Sequence, residues 1–584
     1  MDIKQIITND LNNAFKKCGF NGDAVVTFSA RPEICDFQCN NVFALAKSIG
    51  KNPLEVAKNV VDNMEKNVLY DTTFLPPAFI NCTITKEGLS TLAKDIYING
   101  NAPEFKDNKT VFFDYGGANV AKELHVGHLR SPIIGESLAR LYRLLGNKVI
   151  TDTHLGDWGL QMGLTIAQLE DDGYLEGAFG RGTDKEITLD TLNEEYPKAS
   201  KRKKEEPEFL KKAELYTLYV QHQQEPYYGV YKKLKAISIK QIKFNYDQLN
   251  CHFDLWEGES DAEPYTEKML KMFEDKHLTK ESGGATIVDV AIDGENIPTD
   301  KVDANGNVLY KNPMPPIILK KHNGADIYAT TELATILRRN ELYHPDKIVY
   351  ITDARQGLHF KQVFRAAKLA GISPANQELQ HIVFGTINGK DGKAFKTRSG
   401  ETIKLSDIVN MLKEKASEKL AQNGIVGDDK LALQIGVGAM KFGDLINVVN
   451  KDYVFDIDRF TSFEGKTGPY IQYTAVRIKS ILNKANMATT GEISISSEEE
   501  RKIVLAVLKL TSSFLTAYKD SSLNAICLGL YDLCSAYSNF YNNIRIISEK
   551  DETKKQSYLS LSKLVLNAIE TGANVLAIDI PDKM

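Results

Sequence analysis

A strand, a loop, a helix and a second strand follow one another between residues 111 and 153, and this pattern constrains the fold more than any other segment. Val111–Tyr115 is a short apolar run, which predicts a buried strand. The next segment carries apolar residues three and four positions apart, as an amphipathic helix does, at Leu129, Ile133, Ile134, Leu138, Leu141 and Leu145. Gly146 stands where a helix C-cap glycine belongs, and Lys148–Thr153 follows as a second strand. The pattern predicts a right-handed βαβ unit of a parallel sheet.

The rest of the chain is arranged around this unit, and the predicted fold class is α/β with two further domains. Residues 1–105 predict a small α/β N-terminal domain that ends in a polar linker, Asn99–Asn108. Residues 106–460 predict a Rossmann-type parallel-sheet domain with a polar insertion at about 170–310. Residues 461–584 predict an all-α helical bundle.

Further elements are predicted inside the central domain. The charge-dense stretch Pro197–Glu214 predicts helical structure within the insertion, and Ala285–Asp293 predicts a strand. The sheet resumes with Ile317–Lys320 and Lys347–Thr352, and a helix from about Thr330 to Asn340 separates them. Alternation of strands and helices is what a doubly wound parallel sheet requires.

Length, charge and hydropathy exclude several classes of protein. A chain of 584 residues is too long for one core, and 42% hydrophobic with 26% charged residues is typical of globular proteins. No apolar run approaches the ~20 residues of a membrane-spanning helix, and the first residues lack a secretory signal, so a cytoplasmic location is expected. The net charge of −5 is unlike a small DNA-binding domain but leaves a local basic surface for RNA open. Seven cysteines without a C-x-x-C pair predict reduced, mostly buried thiols and no structural zinc site.

The loop between the first strand and the helix carries NVAKELHVGH, residues 119–128. Ligands of parallel sheets bind at the edge where such loops lie, and a helix N-terminus offers N–H groups to phosphate. His125 and His128 are three residues apart, so both can project to one side of the first turn, and Gly127 permits close approach of phosphate or adenine. Pro132 is tolerated only in a first turn, so the helix is expected to begin close to His128. Two histidines at this spacing are also common as surface or capping residues, and both interpretations stay open on the residues alone.

This segment resembles the HIGH signature of class I aminoacyl-tRNA synthetases. H-x-G-H alone also occurs in other nucleotidyl transferases, but the N-x-A-K prefix and GDWG at Gly156–Gly159 are similar to arginyl-tRNA synthetases in particular. The resemblance continues through ADIYATTELA (325–334), DARQGLHFKQVF (353–364) and GPYIQYTAVRI (468–478), and DFQCN (36–40) is similar to the family's N-terminal additional domain. Matching motifs thus span nearly the whole chain.

The resemblance implies an arginine pocket. Guanidinium is planar, permanently charged and rich in donors, so a carboxylate that accepts two parallel hydrogen bonds suits it. Tyr328 and Glu332 match the tyrosine and aspartate that hold the guanidinium in the family, with glutamate as a departure that lengthens the stem by one methylene. Asn119 and Gln356 match the residues that bind the α-amino and α-carboxylate groups, and Asp114 at the strand edge is a further candidate to face the arginine. The structural alternatives are a surface Tyr–Glu pair, ordinary loop amides and a loop acceptor.

The resemblance also implies an ATP site. The second class I signature is KMSKS, and this sequence has no identical string. FKTRSG (395–400) stands at its place, in a loop whose composition is typical of a phosphate clamp. Lys396 and Arg398 are its candidate cations. In arginine enzymes without the last lysine of KMSKS, a lysine just before HIGH is thought to compensate, and Lys122 stands there. His359 lies in a segment that is near ATP in the family. A solvated basic turn and a structural histidine are the alternatives.

The activity that the resemblance implies is ATP-dependent activation of L-arginine and its transfer to the 2′-hydroxyl of the terminal adenosine of tRNA(Arg). The catalytic candidates are Lys122, His125, His128, Lys396 and Arg398, and ATP-binding candidates are His125, Gly127, His128, His359 and Lys396. Magnesium is expected on the ATP phosphates, with no metal ligand assigned to the protein. The resemblance further implies a monomer with tRNA(Arg), L-arginine and ATP as partners, no DNA or membrane partner, and a first step that needs bound tRNA.

Two alternative functions, and the question of which C-terminal tyrosines contact RNA, stay open at this point. The chain could be a class I nucleotidyl transferase that loads another amino acid, or an inactive synthetase-like protein that binds tRNA. GDWG and the Tyr328/Glu332 helix argue against the first, and the retained histidines argue against the second. In the C-terminal domain the tyrosines that stack on anticodon bases cannot be separated from core tyrosines among Tyr470, Tyr473, Tyr531, Tyr537 and Tyr541.

Overall fold

The structure is a computed structural model, and it describes residues 1–175, 185–292, 294–295, 297–302, 308–311, 314–320, 328–393, 395, 403–422 and 424–584. For residues 297–302, 308–311 and 328 only the backbone is described. The chain forms two compact units. One contains residues 1–106, 412–446 and 457–584, and the other contains residues 107–411 and 447–456.

The strands are numbered along the chain: β1 Val26–Phe28, β2 Phe37–Cys39, β3 Tyr70–Leu75, β4 Phe79–Ile84, β5 Thr110–Asp114, β6 Lys148–Asp152, β7 Thr279–Ser282, β8 Ala285–Val288, β9 Ile297–Val302, β10 Val308–Lys311, β11 Ile317–Lys320, β12 Lys347–Asp353, β13 Glu378–Phe384, β14 Ile387–Asn388 and β15 Tyr453–Val454.

The α-helices are numbered in the same way: α1 Ile3–Lys17, α2 Val42–Ser48, α3 Pro53–Asp62, α4 Lys86–Asn99, α5 Arg130–Leu144, α6 Leu160–Asp171, α7 Leu189–Glu205, α8 Pro207–Gln221, α9 Tyr227–Gln248, α10 Glu259–Ala262, α11 Thr266–Asp275, α12 Tyr328–Tyr343, α13 Gly357–Ala370, α14 Leu405–Gln422, α15 Asp429–Leu445, α16 Ile457–Phe460, α17 Gly468–Ala485, α18 Glu498–Asp520, α19 Asn524–Asn543 and α20 Glu552–Val575. Short 3₁₀ helices cover Val126–His128, Glu263–Tyr265 and Ala354–Gln356.

A parallel sheet with the order β13-β12-β5-β6 lies at the centre of the second unit. Val111 of β5 pairs with Val149 of β6 on one side and Lys347 of β12 on the other. The apolar run of β5 is fully buried, as expected for a parallel strand covered on both faces. Helix α5 connects the neighbouring parallel strands β5 and β6, so the predicted βαβ unit and the predicted α/β fold class are confirmed.

The first unit combines a small antiparallel sheet with helices. Its sheet has the order β1-β2-β4-β3, and β3 and β4 form a hairpin in which Tyr70 pairs with Ile84. Helix α18 begins with a capping box: the N–H of Glu500 donates to Ser497 Oγ at 3.3 Å, and the N–H of Ser497 donates to Glu500 Oε2 at 2.7 Å. The helices α17 to α20 fill the C-terminal part of the chain, as the sequence predicts.

The charge-dense stretch Pro197–Glu214 is helical, as the sequence predicts. It is divided between two helices, because α7 ends at Glu205 and α8 starts at Pro207. Pro207 occupies the first position of α8, where the missing N–H costs nothing, while Pro197 lies inside α7. Charge density alone therefore does not locate a helix end.

The start of α5 agrees with the prediction more closely. A 3₁₀ turn covers Val126–His128, and α5 begins at Arg130, two residues after the expected start at His128. Pro132 is the third residue of α5 and so falls in the first turn. A backbone N–H in the first turn has no acceptor within the helix, so its absence in proline costs no helical hydrogen bond.

Candidate active site at the edge of the parallel sheet

The carboxyl ends of the four parallel strands bring several loops to one edge. β5 ends at Asp114, β6 at Asp152, β12 at Asp353 and β13 at Phe384. Ligands of open α/β sheets bind outside this edge, where neighbouring loops diverge. The loops after these strands therefore define the candidate active site.

His125 and His128 fix the first turn through their ring Nδ1 atoms. The N–H of Gly127 donates to His125 Nδ1 at 3.1 Å, and the N–H of His125 donates to His128 Nδ1 at 3.1 Å. Because Nδ1 accepts in both rings, the proton of each neutral imidazole is on Nε2. A Cβ at position 127 would stand 2.9 Å from His125 Cε1, so a larger residue there would displace the His125 ring. The turn presents two Nε2–H donors.

Both histidines are held neutral. Burial lowers the pKa of His128 to about 3, with His125 and Lys122 acting in the same direction. Burial and then the charge of Lys122 also lower the pKa of His125. The two rings can therefore act on a phosphate as hydrogen-bond donors rather than as cations.

This neutrality predicts a flat pH profile for the first chemical step. A group whose pKa is lowered stays deprotonated until the pH falls below that lowered value, so lowering the pH from about 8 to about 6 leaves His128 uncharged. We expect the single-turnover rate at saturating arginine and ATP to change less than about threefold across this range. A rate that climbs steadily as the pH falls through the ordinary histidine pKa would contradict the assignment, because it would require the charged imidazolium form.

A cleft opens beside the histidine turn. Its walls are the first turn at the head of α5, the loop after β12 and the loop after β13, with the lining residues His125, Val126, Gly127, Arg130, Asp353, Arg355, Phe384, Gly385, Thr386, Ile387 and Phe395. Arg130 is buried, and its Nη1 donates to the carbonyl of Gly385 at 2.8 Å, which ties two of the walls together. The exposed Arg355 lies against Asp353, with 2.7 Å between Nε and Oδ1. The cleft has the position and the mixed lining that a nucleotide needs.

The segment after the predicted phosphate loop runs beside the histidine turn. The N–H of Val126 donates to the carbonyl of Ile403 at 2.9 Å, and the N–H of Leu405 donates to the carbonyl of Leu124 at 2.9 Å. The exit of that loop is thus held next to the cleft. The two predicted cations of the loop lie outside the described residues: Lys396 and Arg398.

Arg339 is the centre of a buried charge cluster at the same edge. Its fully buried guanidinium lies 2.7 Å from Asp114 (Nη1 to Oδ2) and 2.9 Å from Asp152 (Nη2 to Oδ2). The ring of Phe112 covers the guanidinium, with its centroid 4.4 Å from Cζ. Asp114 therefore has a structural ion pair in addition to its place at the strand end.

Three further titratable groups surround this cluster: His154, Glu259 and Glu332. Glu332 of α12 is 2% exposed, so its carboxylate is buried as a guanidinium ligand should be. Burial alone would lower the pKa of His154, but Asp114 and Glu332 outweigh it and raise that pKa. Burial raises the pKa of Glu259 to about 7, and His154 opposes this shift. Carboxylates converging in a dry site favour a bound cation.

The sequence did not single out His154, Glu259 or Arg339. Glu259 stands in the polar insertion among many other carboxylates, and Arg339 looks like any cation on a helix. Gly258 is a weak sequence signal of this part of the site, because a Cβ at that position would lie only 2.7 Å from the carboxylate of Asp157. The glycine brings GDWG and the segment before Glu259 together.

Asn119 is positioned by a glycine of the neighbouring loop. Asn119 forms an isolated parallel bridge with Gly156, and the N–H of Val120 donates to the Gly156 carbonyl at 3.0 Å. A Cβ at position 156 would stand 2.3 Å from Asn119 Oδ1. The N-x-A-K and GDWG segments thus fit together only with glycine at this position.

The other predicted residues take less central positions. Tyr328 is the first residue of α12, and its side chain is outside the described part. Gln356 is exposed in the 3₁₀ turn after β12. His359 lies in α13 with its ring centroid 5.4 Å from that of Phe360, and burial lowers its pKa to about 4. His359 is not among the described residues that line the cleft.

The C-terminal helices α17 to α20 carry both exposed and buried tyrosines. Tyr537 is fully buried, whereas Tyr473 and Tyr541 are 38% and 40% exposed. The guanidinium of Arg477 lies between the two exposed rings, 4.7 Å from the Tyr473 centroid and 5.2 Å from that of Tyr541. Tyr470 is half-buried, with its hydroxyl 3.2 Å from Ser538 Oγ. An exposed aromatic pair around a cation is a surface suited to unstacked bases.

The described residues contain neither a membrane-spanning helix nor a metal-binding cluster. Among the described helices, none is long and apolar enough to cross a bilayer. No group of three His, Cys, Asp or Glu side chains close enough to hold a metal ion occurs within the part of the chain that the structure describes. Six of the seven cysteines are buried thiols, and Cys18 is partly exposed.

A Rossmann-type sheet whose edge carries an H-x-G-H turn beside a nucleotide-sized cleft is typical of class I aminoacyl-tRNA synthetases and related nucleotidyl transferases. The model of the class I (R) tRNA synthetase catalytic domain matches residues 92–457. The arginyl-tRNA synthetase N-terminal domain matches residues 1–84, and the DALR anticodon binding domain matches residues 471–584. The chain belongs to the arginyl-tRNA synthetase family.

Individual relatives agree along the whole chain. The arginine–tRNA ligase of Alkaliphilus oremlandii is 38% identical over 602 residues, which cover 100% of this chain and 99% of the relative. The arginine–tRNA ligase of Agathobacter rectalis is also 38% identical, with 99% of each chain covered. The arginyl-tRNA synthetase of Plasmodium falciparum has the same fold, with a TM-score of 0.81 at 24% identity, and covers 100% of this chain and 99% of its own. The Thermus thermophilus enzyme gives a TM-score of 0.78 at 20% identity with 100% of both chains covered.

Proposed function

We propose that the edge of this sheet is the site where L-arginine is activated with ATP and transferred to tRNA(Arg). The chain is an arginine–tRNA ligase: it forms arginyl-adenylate, releases pyrophosphate, and esterifies the terminal adenosine of tRNA with release of AMP. The observation that carries the site assignment is a juxtaposition. A pair of neutral histidine donors at a helix start stands at the same sheet edge as a group of carboxylates: Asp114 ends β5, Glu332 lies early in α12 and Glu259 begins α10.

On the arginine side, we assign the guanidinium to Glu332, Glu259 and Tyr328. Two carboxylates can accept parallel hydrogen bonds from the planar guanidinium, and their burial strengthens the attraction. Asn119 and Gln356 are proposed to hold the α-amino and α-carboxylate groups, because they lie in the connections that follow the parallel strands β5 and β12 at this edge. Asp114 adds negative charge beneath the pocket while Arg339 holds it in place.

On the ATP side, the cleft beside Gly127 is proposed to hold the nucleotide. The substrate's own carboxylate attacks the α-phosphorus, so no protein nucleophile is needed and catalysis consists of positioning and charge stabilisation. His125 and His128 donate through Nε2–H to phosphate oxygens, and Lys122, Lys396 and Arg398 are proposed as the cations. His359 of α13 is proposed as a further ATP-binding residue, with a neutral ring because burial lowers its pKa. Magnesium enters as part of the substrate, bound to the triphosphate, and we assign no protein ligand to it.

The three predicted domains are proposed to divide the remaining work. Residues 1–105 contact tRNA outside the anticodon, residues 106–460 with their insertion at about 170–310 carry out catalysis, and residues 461–584 bind the anticodon loop. We propose that the chain acts as a cytoplasmic monomer with no DNA partner. In the second step the 2′-hydroxyl of the terminal adenosine attacks the carbonyl carbon of the adenylate.

ATP–pyrophosphate exchange over all twenty amino acids, with and without homologous tRNA, tests the proposal. Exchange with arginine alone, appearing when tRNA is added, is the expected result. Exchange with another amino acid would show that the Glu332 pocket has been misassigned. Folded protein that binds tRNA but exchanges nothing would establish the inactive alternative.

Arginine binding is expected to improve as the pH rises. The raised pKa of Glu259, about 7, leaves this carboxyl protonated at lower pH. Glu259 loses its proton as the pH rises through this value, so the pocket becomes more negative and the KM for arginine should fall about tenfold between about pH 6 and pH 8. Glu259→Gln should raise KM and flatten this dependence. An unchanged profile in that variant would remove Glu259 from the pocket.

The exposed pair Tyr473 and Tyr541 in the C-terminal helices is expected to contribute to tRNA affinity. Stacking on one aromatic is worth about 1–3 kcal/mol, so Tyr473→Ala should raise the KM for tRNA by roughly tenfold or more and leave the KM for ATP unchanged. Tyr473→Phe retains the ring and should stay near the parent value. Steady-state arginylation with varied tRNA measures this, and equal effects of the two substitutions would contradict a stacking role.

A further inference from the structure

Glu259 begins α10, a helix of only four residues, Glu259–Ala262. A single helical turn is not stable on its own in water, so contacts with the surrounding protein decide where its side chains lie. Two of these contacts come from the loop after β6. The N–H of Glu259 donates to the carbonyl of Leu155 at 3.0 Å, and the N–H of Leu155 donates to the carbonyl of Glu257 at 2.8 Å. The GDWG segment, which begins one residue after Leu155, therefore lies directly against the start of α10.

The carboxylate of Asp157, the second residue of GDWG, contacts the residues on both sides of Glu259. On one side it accepts two hydrogen bonds from Ser260: the N–H donates to Oδ1 at 2.9 Å, and Oγ donates to Oδ2 at 2.7 Å. On the other side a Cβ at Gly258 would lie 2.7 Å from both carboxylate oxygens, so the glycine backbone packs against the carboxylate. Asp157 therefore fixes the stretch of backbone that carries the Glu259 side chain.

Asp157 is in turn fixed from helix α9. Its carboxylate is fully buried, and Oδ2 lies 2.5 Å from Lys235 Nζ and accepts from the Tyr231 hydroxyl at 3.0 Å. Tyr231 and Lys235 are four residues apart, so they share one face of α9. Lys235 also donates to Ser260 Oγ at 2.9 Å, so Asp157, Lys235 and Ser260 form a closed triangle of polar contacts. A fully satisfied network of this kind rigidifies the segments that it joins, here α9, the GDWG loop and α10.

A network of this kind can also serve stability alone, because losing one partner of a buried ion pair destabilises a fold. The position of its contacts points further. Both oxygens of the Asp157 carboxylate are directed to Ser260, the residue next to Glu259. Glu259 itself interacts electrostatically with His154 and with Glu332 of α12, the neighbouring groups of the same pocket. A shift of α10 would therefore change the charge arrangement of the pocket as well as the stability of the chain.

We propose that Asp157 is a positioning residue for arginine recognition: it fixes α10 so that the carboxylate of Glu259 meets the guanidinium of the substrate. The proposal rests on the proposed function, which places Glu259 at the guanidinium, and adds the group that holds it there. Hydrogen bonds between a planar guanidinium and a carboxylate depend on the orientation of both planes, so a small rotation of α10 weakens them. Asp157 is fully buried, and its effect on the substrate passes through Glu259.

A double-mutant cycle between Asp157→Asn and Glu259→Gln tests this role, with the KM for arginine read from steady-state arginylation by the full-length chain. Asparagine keeps the shape of the side chain but loses the charge that holds Lys235, so α10 should lose its fixed direction. A misplacement of about 1 Å can cost about 100-fold, and we expect Asp157→Asn to raise the KM for arginine about tenfold or more and to leave the KM for ATP unchanged. In the Glu259→Gln background the same substitution should change the KM for arginine by less than about threefold.

Equal increases of the KM for arginine in both backgrounds would overturn the proposal, because Asp157 would then act on the pocket without Glu259. An unchanged KM in Asp157→Asn would overturn it as well. An unchanged KM in Glu259→Gln alone would remove Glu259 from the arginine pocket, and this inference would fall with that assignment. The cycle thus separates a failure of the proposed arginine site from a failure of the positioning role.

Ser260→Ala and Ser260→Thr give a second test in chains that retain the pair of Asp157 and Lys235. Ser260→Ala removes one of the two hydrogen bonds to Asp157 and should raise the KM for arginine about threefold to tenfold. Ser260→Thr keeps the hydroxyl and should stay near the parent value. Equal KM values for the two variants would show that the contact with Asp157 does not orient Glu259.

Glu195→Gln is the matched control for the loss of a buried charge. Glu195 of α7 is 2% exposed and lies 2.7 Å from Lys198 Nζ, so its replacement also removes a buried carboxylate with a lysine partner. The variant should have a lower melting temperature and an unchanged KM for arginine. A rise in this KM equal to that of Asp157→Asn would reduce the effect to general destabilisation and contradict a positioning role.

Discussion

His125→Ala is expected to lower the single-turnover rate of arginyl-adenylate formation by about 10²–10³. The substitution removes one preorganised donor from the place where phosphate charge develops, and the loss of such a donor costs that much in comparable sites. The ring also accepts from the N–H of Gly127, so the turn itself is left with one internal hydrogen bond fewer. The KM for arginine should change little, because the proposed guanidinium ligands Glu332 and Glu259 lie on other elements, α12 and α10. Rapid-quench measurements with saturating arginine, ATP and tRNA give the rate.

The control for this result is His222→Ala. His222 is an exposed histidine at the end of α8, so its replacement should leave both rate and stability unchanged. A rate for His125→Ala within threefold of the parent would mean that the turn does not contact the transferred phosphate. Equal melting temperatures for the two variants would separate lost chemistry from lost folding.

Glu332→Gln is expected to lower kcat/KM for arginine by about 10²–10⁴. Removing one partner of a buried charge pair costs about 3–5 kcal/mol, and each 1.36 kcal/mol is about a factor of ten. The variant should also lose much of its preference for arginine over citrulline, the uncharged isostere, because discrimination comes from the buried carboxylate. Glu332→Asp restores the charge on the stem that is usual in the family, and we expect a loss below about tenfold.

Glu341→Gln is the matched control for the pocket. Glu341 lies on the same helix, is exposed and pairs with Lys268 at 2.6 Å, and surface pairs of this kind contribute little. Its replacement should leave kcat/KM for arginine unchanged. If Glu332→Gln behaves like Glu341→Gln, the guanidinium is held elsewhere.

The sequence predicts the part of the fold whose pattern is local. The β5–α5–β6 unit follows from apolar periodicity, a C-cap glycine and an early proline within about forty residues, and the structure has it at those positions. Helix α9 and the short strand β2 were harder to predict. α9 carries lysines among its apolar residues with little one-sided pattern, and a three-residue strand carries too few alternations to distinguish from a loop.

The candidate site likewise has a part that the sequence predicts and a part that it does not. The histidine turn is contiguous, so its chemistry could be predicted from about ten residues. The buried charges could not, because Arg339 and Asp152 are 187 positions apart and meet only when the sheet has formed. The glycines at 156 and 258 are the nearest sequence traces of these contacts, since each leaves room for a side chain from a distant segment.

The burial of the Arg339 guanidinium links how accurately this enzyme aminoacylates tRNA to how well new copies of the enzyme fold. The side chain at this position neutralises Asp114 and Asp152, and any shorter or uncharged residue would leave two buried carboxylates without a countercharge, at a cost of about 3–5 kcal/mol. A ligase that attached the wrong amino acid to tRNA(Arg) would insert that residue at position 339 of newly made copies of itself. Those copies would be the ones least able to fold.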